Sequence, residues 1–423
     1  MHTPNFPVPR EPLFLRGLRS LLLVVLAPVV TGLLSLALLA ALNLNVGDEA
    51  ARDRVFYLTV ACAAVAPLLL LWIAHRRRLR SWGWPVGGWL LVAPVLAYLA
   101  TDDPTVRRPI TAEEIAPSFP GAETSYALLH RYARDKIDVK DYEEFKWADA
   151  PKEAVALPAF VENNRPLIAE RFAKLNERGL IVWYRELNTF ERIGDLGRGS
   201  MSDPIPAFSV HNALARTLRL EACALALEGR HAEAVELLVN LLGVGRKLQV
   251  NARTLVRFMT GMHVVREGMR GLEFVLARTT LDAAARARVL AALGTPLGEA
   301  GVRRMVFIDF ATWNLGELTD YAFGIYGWPR AVNAVMASTT PFMLNRNRTL
   351  NLIGDYAFNA AELAAQRRPV AAAESVFHGY DITFKNVWGS VLIASYRPEL
   401  QTPVTRYWEV EDQLATFREK LRH

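Results

Sequence analysis

Apolar residues fill long unbroken blocks over the first hundred positions of the 423-residue chain, and beyond residue 120 they recur every three or four positions. Leu21–Leu42 runs for 22 residues without a charge, as LLLVVLAPVVTGLLSLALLAAL. At the helical rise a segment of that length reaches about 33 Å, enough to cross a hydrocarbon core. A second uncharged run covers Val55–Ala74, and a third covers Ser81–Thr101, with its strongly apolar part at Trp84–Ala100. The pattern predicts a membrane anchor over residues 1–101 with spans at 21–42, 55–74 and 84–100. The first run exceeds the roughly 7–15 apolar residues of a signal-peptide core and a second follows at once, which argues for a retained anchor. Each span holds an inner proline (Pro28, Pro67, Pro94) but no charged residue, so nothing in them suggests an ion or proton path.

Charge sets the expected orientation. Arg10, Arg16 and Arg19 precede the first span, and Arg76, Arg77, Arg78 and Arg80 lie between the second and third. Both clusters favour the cytoplasmic side. A third crossing carries everything after Thr101 to the far side; a third segment lying only in the interface leaves it on the near side. The net charge of +6 is concentrated beside these apolar runs, since residues 1–100 hold nine Arg against four acidic residues. No basic face is left over for nucleic acid.

After the anchor, residues 102–120 (DDPTVRRPITAEEIAPSFP) are polar and Pro-bearing and read as a linker. Residues 121–423 show the 3.6-residue period of an α-helical extramembrane domain. Gly179–Leu187, GLIVWYREL, has instead the composition of a strand, and Gly194–Pro206 reads as a flexible connector. Asn212–Leu248 predicts two amphipathic helices joined at Glu228-Gly229-Arg230. In this pair Ala222 faces Ala234, and Leu218, Leu225, Leu238 and Leu241 fill the groove between them. Further helices are expected near Thr254–Ala277, Leu281–Leu293 and Val302–Thr319. Tyr321–Leu344 turns apolar again with Arg330 its only charge, suited to core packing or to a surface resting on a bilayer. Val404–Leu421 places Val410, Leu414, Phe417 and Leu421 at helical spacing, an amphipathic helix for docking on the domain or on a partner.

The spacing of the Asn212–Leu248 pair resembles a tetratricopeptide helix pair, with Gly229, Ala234 and Leu238 at motif positions. It departs from the motif in having no Trp at its start and Arg246 in place of the closing Pro. With the ENNRPLIAERF and NRNRTLNLIGDYAFNAAEL stretches, the chain is similar to a class of uncharacterised bacterial membrane-anchored proteins with TPR-like helical regions. The resemblance implies a mainly α fold: two to three transmembrane helices followed by a TPR-like helical-hairpin domain. It carries no activity with it.

Candidate chemistry is sparse. Of the two cysteines, Cys62 falls in a span and Cys223 in the helix pair, where a small buried hydrophobe is expected. The eight histidines show no metal-pair spacing, and no phosphate loop, GxGxxG or nucleophile-elbow pattern occurs, so no metal and no cofactor is expected. The carboxylate pairs Glu191/Asp195 and Glu317/Asp320 have surface arginines within reach and read as solvated surface. Arg346, Asn347 and Arg348, with Asp355 beyond, form the least ordinary polar cluster. They could hold a carboxylate, phosphate or lipid headgroup, or serve structurally with an N-cap at Asn347 or Thr349. On the helix pair, Arg219, Glu228, Arg230 and Glu233 are the candidate partner-binding residues. The expected function is therefore that of a multi-pass bacterial inner-membrane protein, with membrane lipid and a cell-envelope protein as partners. Its helical domain, on the periplasmic side if the third span crosses, would serve as a scaffold or accessory subunit. No catalytic residue is identifiable, and the chain leans away from enzyme. The alternative is a membrane enzyme or a lipid- or anion-binding protein using a groove around residues 321–355.

Overall fold

Every regular element among the described residues is helical. The computed structural model describes residues 105–108, 110, 112–131, 147, 150, 151, 155–196, 208–314, 345–377 and 400–422. The three expected spans and the Tyr321–Leu344 segment lie outside them. Among the described residues no helix is long and apolar enough to cross a membrane. In chain order the helices are α1 (Ala112–Ile115), α2 (Ala122–His130), α3 (Leu157–Asn163), α4 (Arg165–Glu177), α5 (Leu180–Thr189), α6 (Phe208–Leu227), α7 (His231–Val250) and α8 (Leu255–Leu276). They continue with α9 (Ala283–Leu293), α10 (Gly298–Asn314), α11 (Arg346–Ala365), a 3-10 turn at Val370–Phe377, and α12 (Gln401–Arg422).

The chain divides into two compact units. The smaller includes residues 105–107 and 345–352 among those described. There Asn351 takes the Arg107 amide on Oδ1 at 2.7 Å and donates from Nδ2 to the Thr105 carbonyl at 3.2 Å.

The larger unit is organised around α6, α7 and α8, each of which packs on the other two. The α6–α7 hairpin forms where the sequence places it. Gly229 adopts φ 78, and the Arg230 amide donates back to the Leu225 carbonyl at 2.8 Å while the Gly229 amide donates to that of Ala226 at 3.2 Å. This is the bond pattern that ends a helix with a left-handed glycine. Ala222, Ala234, Leu238 and Leu241 are fully buried in the hairpin, and Cys223 is buried beside them.

Helices α7 and α8 approach more closely still, through glycine. A Cβ on Gly261 would stand 2.7 Å from the Gly245 carbonyl oxygen and 2.8 Å from the Gln249 nitrogen, both backbone atoms that cannot rotate away. Gly261→Ala is therefore expected to lower stability by about 1–3 kcal/mol, the usual toll of overpacking. Urea denaturation measures it, and an unchanged midpoint would show that the two helices separate freely.

Around this centre, α3 and α4 cover α6, α5 and α9 cover α7, and α12 lies against α8, α9 and α10. The expected amphipathic C-terminal helix thus docks within its own unit. It buries Val404, Tyr407, Val410, Leu414, Phe417 and Leu421, and Tyr407 donates to the Gly298 carbonyl at 2.6 Å.

Three expectations need correction here. The strand-like stretch is helix α5: Leu180, Ile181, Trp183, Tyr184 and Leu187 recur at helical spacing and are all buried, so packing overrides their β-propensity. Part of the 102–120 linker is built into the domain, because α1 packs on α10 and Arg253 binds the Ala116 carbonyl at 2.7 Å and the Glu113 carboxylate. Helix α11 begins at Arg346, so the cap position is Asn345. Thr349 sits inside the first turn and donates its hydroxyl back to the Asn345 carbonyl at 2.8 Å.

Candidate functional site: a basic groove

The sequence-designated residues do not converge. Asn347, Arg348 and Asp355 are half-buried along helix α11, and the side chain of Arg346 lies outside the described residues. On the helix pair, Glu228, Arg230 and Glu233 are exposed at the hairpin tip and satisfy one another: Arg230 binds Glu233 at 2.7 and 2.8 Å and Glu228 at 3.3 Å. Arg165 closes the cluster by bridging Glu228 and Glu221, each at 2.7 Å. Arg219 does not share that surface. It is 3% exposed, and its guanidinium pairs with Glu267 of α8 at 3.1 Å, so it holds two helices together and offers nothing to a partner.

The remaining candidates are structural as well. Cys223 is buried, and desolvation pushes its thiol up to about 12, which leaves it protonated and inert. Asp195 is not the solvated carboxylate its spacing suggested: it is buried against Arg257 at 3.1 Å, because the chain after Ile193 turns inward onto the start of α8. Among the described residues no cluster of His, Cys, Asp and Glu could hold a metal ion.

The most site-like feature is one the sequence did not announce. Where α5, α7 and α9 meet the Gly294–Leu297 turn, a groove of about 480 Å³ opens, lined by Arg192, Arg246, Lys247 and Arg288 with only Glu191 against them. Glycine shapes it. Gly243 carries no Cβ, and one placed there would lie 2.1 Å from Asn188 Oδ1. Asn188 consequently sinks against α7, where it donates to Asn240 at 3.0 Å and takes the Lys247 ammonium on Oδ1 at 2.9 Å.

The four cations differ in how far they are neutralised. Arg246 is spent on the fold, binding Glu411 at 3.1 Å, Gln249 at 2.9 Å and the Thr295 carbonyl. Arg288 pairs with Glu236 at 2.7 Å across a half-exposed surface, a bond of small net worth. Among the described residues Lys247 donates to the neutral oxygens of Asn188, and desolvation pulls its ammonium down from the usual lysine range. Arg192 is exposed, with its guanidinium 5.8 Å from the Phe119 ring centre. Among the described residues neither Arg192 nor Lys247 has a carboxylate partner. Among the described residues these two cations have no counter-ion, and a carboxylate is what the half-buried lysine would gain most from.

One signal could have exposed it: Lys247 lies in the last turn of a helix whose other positions from Leu241 to Leu248 are buried, so its stem had to cross apolar surface. No protein-family model, curated protein or solved structure matches the chain.

Proposed function

We propose that this protein is a membrane-anchored scaffold whose helical unit recognises an acidic segment of a partner protein in the groove between α5, α7 and α9. The observation that carries the reading is that Lys247 and Arg192, in a concavity of binding-site size, have no carboxylate partner among the described residues. Three uncharged runs in the first hundred residues support the anchor. Recognition without catalysis agrees with a unit whose thiol is buried and protonated and whose buried carboxylates Asp195, Glu267 and Glu411 are each held by an arginine.

The test is a comparison of the wild-type chain and the double variant Arg192→Glu, Lys247→Glu, each purified in mild detergent from native membranes. Quantitative mass spectrometry of the retained proteins should find a stoichiometric partner on the wild type and lose it from the variant, and because Lys247 also holds Asn188, Arg192→Glu alone, at an exposed position, should weaken retention with the melting temperature unchanged. Retention of the same partner at the same stoichiometry by the variant rejects the groove as the docking site.

A further inference from the structure

Two hydrogen bonds in the smaller unit join parts of the chain that the sequence keeps 244 and 246 residues apart. Asn351 Oδ1 accepts from the Arg107 amide at 2.7 Å, and Asn351 Nδ2 donates to the Thr105 carbonyl at 3.2 Å. Asn351 is buried, so the two segments are fastened at this point. Both come directly from apolar sequence. Thr105 stands five residues after Ala100, where the strongly apolar part of the third run ends, and α11 begins two residues after the Tyr321–Leu344 stretch. At about 3.5 Å per extended residue, Thr105 reaches at most about 18 Å beyond Ala100. The Asn351 junction is therefore held near the headgroup layer, whether the third run spans the bilayer or lies in its interface.

The junction is also basic. Arg107 is exposed, and Arg348 is half-buried three residues before Asn351, on the same face of α11 and one turn nearer its start. In sequence, residues 101–108 and 345–351 together hold Arg107, Arg108, Arg346 and Arg348 against Asp102 and Asp103. The first turn of α11 carries no acidic residue, and the nearest acid along that helix, Asp355, stands about two turns beyond Arg348. Cations in a first turn oppose the helix dipole, so their placement there does nothing for the helix itself. A position at the headgroup layer gives them a use, because the guanidinium fork matches the oxygens of a lipid phosphate.

We infer that this junction lies against the membrane surface and that Arg107 and Arg348 bind the phosphate of an anionic lipid headgroup. The inference rests on the membrane anchor of the proposed function and is independent of the basic groove. The spans hold the chain in the bilayer, and the headgroup contact sets the start of α11 at its surface.

The test uses the full chain in phosphatidylcholine nanodiscs doped with a phosphatidylglycerol that carries a photoreactive headgroup. Adducts are mapped on chymotryptic peptides by mass spectrometry. They are expected on the peptides holding Arg107 and Arg348, and beside Arg76, Arg77, Arg78 and Arg80, which serve as an internal reference. Arg107→Gln, at an exposed position, should lower the junction adducts about fivefold, and Arg107→Gln with Arg348→Gln about tenfold or more. The reference adducts and the melting temperature of Arg107→Gln should not change. Unchanged junction labelling in the variants, adducts on the reference alone, or equal labelling by a photoreactive phosphatidylcholine overturns the headgroup contact. So does selective loss of the junction adducts on adding inorganic phosphate, which would assign the arginines to the free ion. Absence of adducts everywhere would overturn the anchor itself. The basic-groove variant should label as the wild type does, so the groove and the headgroup contact fail separately.

Discussion

Arg257→Met is expected to lower the unfolding free energy by about 3–5 kcal/mol, the range found when one member of a buried ion pair is removed. The side chain is 1% exposed and joins the start of α8 to residues 193–195, which follow α5. It donates to the Ile193 and Gly194 carbonyls, each at 2.8 Å, and lies 3.1 Å from the Asp195 carboxylate. Asp195 in turn receives the Arg253 amide at 2.8 Å, and the Gly194 amide donates to Ser125 at 2.9 Å. Methionine restores the length and volume of the stem but none of the donors, so two buried carbonyls and a carboxylate lose their partner at once. Chemical denaturation of the wild type, Arg257→Met, Asp195→Leu and the double variant measures the coupling. The double variant should be less damaged than the sum of the singles, because Asp195 is no longer left as an unpaired charge. Additive losses would mean that the clamp works through the two carbonyls and not through the carboxylate.

This clamp also marks where the sequence stops being readable. The α6–α7 hairpin could be placed because its determinants are local: a 3.6-residue apolar period, small residues at the crossing, and one glycine at the turn. Helix α12 was legible for the same reason. The partners of Arg257 are carbonyls and an acid more than fifty residues upstream, a pairing no periodicity encodes. Arg219 and Asp195 were misjudged on the same grounds, since a charged residue in sequence gives no sign of whether its counter-ion waits across a helix interface. For α5 the aromatic and β-branched composition suggested a strand, while the burial of Leu180, Trp183, Tyr184 and Leu187 along one face required a helix. Glycine was the neglected signal. Gly261, Gly268 and Gly271 form a small-residue face on α8 that meets α7, and Gly243 admits Asn188 to the basic groove. Both consequences are visible only once a neighbouring helix is in place.

Acidification should destabilise the larger unit well before any carboxylate titrates, because its central histidine is buried neutral. His211 on α6 is 1% exposed; its Nδ1 meets the Tyr184 hydroxyl at 3.1 Å, and its ring lies 5.1 Å from that of Trp183. Burial, reinforced by Arg257 and His130, pushes the imidazole down to about 3. An unfolded-state histidine titrates near 6.5, so the unfolded chain takes up the proton first and the native state is left behind. The contribution is complete above about pH 6.5 and is lost steadily as the pH falls toward 3, at about 1.4 kcal/mol per unit. By pH 4.5 the loss from this residue reaches roughly 3 kcal/mol. His263, held near 4 mainly by burial, adds a loss of the same sign in the same interval. Glu267 behaves oppositely in pH. Desolvation raises its carboxyl, but Arg219, His263, Arg270 and Arg266 together outweigh that and hold it below the usual range, so its stabilisation fades only below the unfolded carboxylate value of about 4.3. The window from pH 6.5 to 5 therefore isolates the imidazoles. Urea midpoints measured across it should slope downward for the wild type, less steeply for His211→Gln, and lie nearly flat for His211→Gln combined with His263→Gln. A wild-type stability that stays level to pH 5 would mean that His211 reaches solvent readily enough to take its proton while α6 remains packed against α5.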